Sequence, residues 1–196
     1  MRFKLLGTEF YVSFLFAAII TAMIAFDRTG YILPLLFATV MHEIGHLAAM
    51  WILDCAPKRI RLVPATVEIS ASINTSHKNE TAVALCGPAV NIILFFTFGI
   101  NYLVFGKELS LICALINLLI AAFNLMPIKG LDGGTVLFLL LCRKIPQKAN
   151  LVMRLINLSL AAAFITAAVF LCFKGKFNIS LFIIGLYLII TGTMKM

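Results

Sequence analysis

Six apolar stretches, each near the length needed to cross a bilayer, constrain this chain more than any other feature. They run from about Phe10 to Phe26, Tyr31 to Leu53, Thr81 to Phe105, Leu109 to Cys142 with a break, Leu151 to Phe173, and Asn178 to Met194. A spanning helix takes roughly 20 mostly apolar residues, because each residue rises about 1.5 Å and the hydrocarbon core is about 30 Å thick. With 62% hydrophobic and 12% charged residues, the chain has too little polar surface to cover a soluble globule. An open sheet would turn unpaired amides toward hydrocarbon, so the stretches are expected to be helices. The expected fold is an all-α membrane protein, a single domain over residues 1–196 with about six transmembrane helices and a broken fourth.

Arg2 and Lys4 precede the first stretch as they would in a signal peptide, but Ala25-Phe26-Asp27 offers no small-x-small cleavage site. A retained first helix is therefore expected. Between the second and third stretches, Arg59-Ile60-Arg61-Leu62 and Val67-Glu68-Ile69-Ser70-Ala71-Ser72-Ile73-Asn74 alternate with period two, around Pro64-Ala65-Thr66. That pattern predicts a short membrane-associated β-hairpin between helices 2 and 3. Its free edge, with the amide of Ile69 or Ala71, could bind an extended substrate by strand addition.

The formal charge of +8 would suggest a nucleic-acid partner in a soluble protein, but here the positions of the cations explain it. Across six alternating spans, eleven Lys and Arg, among them Arg2, Lys58, Arg143 and Lys195, fall on one side. Arg28, Lys107, Lys174 and Lys176 fall on the other. The positive-inside bias places both termini in the cytoplasm and excludes a need for nucleic acid. Five cysteines, odd in number and without a C-x-x-C pair, imply neither a disulfide framework nor a thiolate metal site.

Ionisable groups in the centre of a membrane helix cost about 2.5–3.5 kcal/mol each on insertion scales, so they call for a reason. The second stretch carries three: His42-Glu43-Ile44-Gly45-His46. Residues four apart share a helix face, so His42 and His46 can converge on one ion. Glu43 stands round the helix from them, suited to accept a proton from an attacking water. A catalytic zinc usually takes three protein ligands, and no third His follows closely. Asp132 is the leading candidate for the third. It lies beyond Pro127 and Gly130, where the fourth stretch is interrupted. His77, Glu68 and Glu80 are its rivals. Asn91 and Asn124, amides inside spans, could bind a substrate backbone, position a ligand, or only tie helices together. Lys129 could stabilise oxyanion charge or reach for the headgroups.

These residues match a family. His42-Glu43-Ile44-Gly45-His46 with Leu131-Asp132-Gly133 resembles the site-2 protease family of intramembrane zinc metalloproteases, over roughly Leu33 to Leu141. Gly87-Pro88-Ala89-Val90-Asn91 resembles that family's G-P-x-x-N element. Six spans with the motif in the second resemble the sporulation-type branch, which processes pro-sigma factors and would place the chain in a bacterial cytoplasmic membrane. The chain departs from the pattern in two respects. The family's Asn-Pro-x-Pro reads Asn124-Leu125-Met126-Pro127, and the branch's regulatory domain after the last span is not seen. The resemblance implies one Zn2+ per chain held by His42, His46 and Asp132, with Glu43 as general base. It also implies a catalytic core over about 31–142, with accessory helices over about 10–26, 151–173 and 178–194. Asn91, Asn124 and Pro127 are the implied substrate contacts, and the expected activity is zinc endopeptidase cleavage of a membrane or membrane-associated protein, such as a pro-sigma or anti-sigma factor. The competing classes are a metal-ion transporter, which would need further metal stations along a path, and a non-catalytic relative that only binds membrane segments.

Overall fold

The computed structural model describes residues 2–5, 8–12, 14–55, 59–63, 66–70, 76–173, 183, 185, 186 and 189. In chain order these form strands β1 (Arg2–Leu5) and β2 (Thr8–Val12), helices α1 (Phe14–Ala25) and α2 (Ile32–Ile52), and strands β3 (Arg59–Val63) and β4 (Thr66–Ser70). Helices α3 (His77–Phe105), α4 (Glu108–Asn124), α5 (Asp132–Lys144) and α6 (Ala149–Phe173) follow. They divide into two compact units, Met1–Ala122 and Phe123–Met196.

The expected fold class is corrected on two counts. Among the described residues only α2, α3 and α6 are long and apolar enough to cross a membrane, rather than six helices. Pro127 and the glycines after it divide the fourth stretch completely, leaving α4 with 17 residues and α5 with 13. The first stretch loses its beginning to β2, whose Phe10-Tyr11-Val12 run suits a strand as well as a helix, so α1 has only 12 residues. The expected sixth span falls almost wholly outside the described residues.

The second correction concerns the hairpin. Among the described residues β3 and β4 pair antiparallel between α2 and α3, but as part of one four-stranded sheet of order β1-β2-β3-β4 rather than as a hairpin of their own. β2 runs parallel to β3, with Phe10 opposite Ile60, a pairing between segments about fifty residues apart that local alternation cannot announce.

In the first unit, α2 and α3 pack closely because their contact carries glycines. A Cβ on Gly45 would lie 2.7 Å from the Cys86 carbonyl oxygen and 2.9 Å from Val90 Cγ2. Membrane helices gain little from hydrophobic burial against one another, so small residues that let backbones approach supply the packing. α3 is capped at both ends, by the Ser76 hydroxyl accepting from the Asn79 amide at 3.4 Å and by Gly106 in the left-handed region, φ 65°. Hydroxyls within the apolar helices return to carbonyls one turn back, as Thr39 does to Leu35 at 2.9 Å and Thr97 to Ile93 at 2.8 Å.

Asp27, in the turn before α2, accepts from the Thr29 amide and hydroxyl at 2.8 Å and from the Gly30 and Ile32 amides at 3.0 Å. It thereby satisfies the first free amide of α2. These bonds, the Thr29 hydroxyl foremost and the Ile32 amide next, hold the Asp27 carboxyl below its ordinary value of 3.8. A carboxyl whose pKa falls on folding adds stability that is present above its unfolded pKa and lost as pH drops through the folded one. Asp27→Asn is therefore expected to melt earlier than wild type at pH 7, with the gap closing below pH 3.8, as read by scanning fluorimetry in detergent.

In the second unit, the segment 125–131 folds against the start of α5. A Cβ on Gly133 would meet the Leu125 carbonyl, and one on Gly134 the Ile128 carbonyl. The Lys129 amide donates to Asn157 Oδ1 of α6 at 3.1 Å, and Ile128 is buried with Ala161 among Met126, Leu131, Leu160 and Phe164. Gly130 takes φ 96°, open to glycine at little cost. This packing makes Asp132 the first residue of a helix, where the amide dipoles favour a negative charge.

Candidate metal centre

His42 and His46 lie one turn apart on α2 and are both buried, 5% and 8% exposed, in a helix whose other buried residues are Ala38, Gly45 and Ala49. Each ring has one nitrogen committed. His42 Nδ1 is 2.7 Å from Asn91 Oδ1, and His46 Nδ1 is 2.8 Å from the Val83 carbonyl oxygen, both supplied by α3. Both partners are acceptors, so each Nδ1 donates and Nε2 is the nitrogen that each ring turns toward the other.

Those two Nε2 atoms face each other at 3.2 Å. Nitrogens bound tetrahedrally to zinc at about 2.0–2.1 Å lie about 3.3 Å apart, so the pair already has the required bite. The rings cross at 86°, with centroids 4.8 Å apart. Gly87 lets α3 lie directly against them: a Cβ there would meet His46 Nε2 and lie 2.9 Å from His42 Cε1.

In the first unit His42 and His46 offer two imidazoles, and in the second Asp132, the expected third ligand, offers a carboxylate at the start of α5. The donor set, two imidazoles and a carboxylate, suits zinc. The rivals lie elsewhere. His77 Nδ1 is 3.5 Å from Glu80 Oε2 on the exposed first turn of α3, and Glu68 belongs to β4 opposite Arg61. Glu43 is half-buried, next in sequence to His42.

Asn91 is fully enclosed. Its Oδ1 accepts from His42, and its Nδ2 donates to the Ala38 carbonyl at 3.0 Å and to Asn117 Oδ1 at 2.8 Å. That arrangement makes it a support for His42 rather than a surface offered to substrate. Asn124 is half-buried at the end of α4, Pro127 is exposed in the connecting segment, Ile69 pairs with Ile60 in β4, and Ala71 lies outside the described residues. Sequence reasoning passed over Asn117 and Asn157, both fully buried. The cost of burying an amide in an apolar stretch was the signal available for finding them.

The sequence pattern described as Peptidase family M50 matches residues 106–167, a region that holds Asp132 but not the histidine pair. The chain is 36% identical over 124 residues to stage IV sporulation protein FB of Bacillus subtilis, covering 61% of this chain and 43% of that protein. It is 25% identical over 158 residues to a zinc metalloprotease of Methanocaldococcus jannaschii, covering 72% and 45%. The chain thus spans less than half the length of these curated relatives. The solved site-2 protease of Methanocaldococcus jannaschii has the same fold, with a TM-score of 0.68 at 23% identity over 98% of this chain and 93% of that one. The chain is thus similar to peptidase family M50 over residues 106–167, around Asp132, and shares the fold of a site-2 protease, while the histidine pair lies outside the matched region.

Proposed function

We propose that this protein is a zinc-dependent intramembrane endopeptidase, which hydrolyses a peptide bond within or next to the membrane segment of a protein substrate. The observation that carries the reading is the approach of His42 and His46 Nε2 to 3.2 Å on one face of α2, each ring held from behind through Nδ1. His42, His46 and Asp132 would hold the ion, and Glu43 acts as general base. Zinc held there supplies Lewis-acid activation of water and of the scissile carbonyl. Glu43 takes the proton of the attacking water and returns one to the leaving amine. The apolar helices around the site exclude bulk water, which strengthens each of these electrostatic effects. The substrate class favoured by the sporulation-type resemblance is a pro-sigma or anti-sigma factor. The same resemblance favours a bacterial cytoplasmic membrane, and the cation bias, as counted over six apolar stretches of the sequence, favours both termini in the cytoplasm.

Elemental analysis of the purified protein is expected to find one zinc per chain, strongly depleted in His46→Ala and in Asp132→Ala. Full zinc in a folded Asp132→Ala protein would remove that residue from the ligand set. Cleavage of a membrane-protein substrate that is lost on chelation and restored by zinc would separate the protease from a transporter, which would instead move zinc across vesicles.

A further inference from the structure

We propose that Asn117 of α4 is a positioning residue of the metal centre, fixing through Asn91 which nitrogen of His42 carries the proton. The inference rests on the metal reading above and names a part of that site which neither the histidine motif nor Asp132 includes.

Two backbone carbonyls determine the direction of every bond in the chain that reaches His42. The Cys113 carbonyl can only accept, so the Asn117 atom 2.8 Å from it is Nδ2, and Asn117 turns Oδ1 toward Asn91. The Ala38 carbonyl can also only accept. Asn91 therefore spends both protons of Nδ2 on that side, at 3.0 Å to Ala38 and 2.8 Å to Asn117. Only Oδ1 is left for His42 Nδ1, at 2.7 Å. The reversed amide would offer His42 a donor, move its proton to Nε2 and cancel the lone pair that faces His46. Asn117 supplies one of the two acceptors that forbid this reversal. Both asparagines are fully buried, so no bulk water can take over either role. Interhelical hydrogen bonds in membranes contribute little to stability, so a buried line of amides ending on a candidate ligand is better explained by orientation.

The test is histidine-selective nitrogen NMR on the chelated protein, together with zinc affinity by chelator competition. In the wild type both His42 and His46 are expected as Nδ1–H tautomers. In Asn117→Leu, which keeps the volume and removes the acceptor, His42 should acquire an Nε2–H population and zinc affinity should fall about tenfold, the low end for loss of a ligand's hydrogen-bonded support. His46 is the internal control: its Nδ1 bonds the Val83 carbonyl, so its signal should not move. An Nε2–H tautomer at His42 in the wild type would overturn the proposal, and would do so even if the variant failed to fold. Wild-type zinc affinity with an unchanged His42 signal in folded Asn117→Leu would overturn it as well. Elemental analysis of the wild type tests the metal reading itself, so failure of one is distinguishable from failure of the other.

Discussion

Glu43→Gln is expected to retain wild-type zinc content and melting temperature while its rate of peptide hydrolysis falls by about 10²–10⁴-fold or more. The substitution keeps shape and hydrogen-bonding reach and removes one capacity, that of accepting a proton. Glu43 is adjacent to His42, so it projects about 100° round α2 from that ligand, whereas His46, four residues on, returns to the same face. A residue at that offset acts beside the ion rather than as part of its bite. The zinc measurement separates the two roles, because a ligand would take the metal with it and a base would not. The competing classes also part here: a transporter or a passive binder would lose nothing that a cleavage assay reads. Retained turnover in a folded, zinc-loaded Glu43→Gln protein would sink the assignment of the base.

The histidine motif was legible because its information is local: a spacing of four on a helix and a polar cost inside an apolar run need no tertiary knowledge. The interruption before Asp132 was legible for a similar reason, since Pro127 and Gly130 act on their own backbone. The number of spanning helices was not. An apolar run states what a segment can be buried against, but the same Phe10-Tyr11-Val12 satisfies a strand, and its choice was made by pairing with β3, far along the chain. Asn117 was missed because a lone amide in a helix can satisfy itself on the carbonyl one turn back, as it does at Cys113, which weakens the burial cost that would otherwise single it out. Its second bond, to Asn91, exists only once α3 and α4 are assembled. The four-stranded sheet is a non-local object of the same kind.

Gly87→Ala is expected to weaken zinc binding by at least about 100-fold, beyond the usual loss for removing a ligand's support, because it adds a methyl where the ligand atoms face. The added Cβ would meet His46 Nε2 and lie 2.9 Å from His42 Cε1, distances that carbon cannot hold. Rotating the rings aside would break the Nδ1 bonds to Asn91 and Val83. Moving α3 away would require undoing the contact at Gly45, where the helix backbones already approach closely. Either relief spoils the bite between the two Nε2 atoms. Gly99→Ala on the same helix is the control, since a Cβ there has nothing within 4 Å. It should leave zinc affinity unchanged and, by helix propensity alone, raise stability by up to about 1 kcal/mol. Competition with a chromogenic chelator and a melting curve for each variant decide the matter. Wild-type zinc affinity in a folded Gly87→Ala protein would show that the metal does not lie in front of the histidine pair, and would remove the observation on which the proposed chemistry rests.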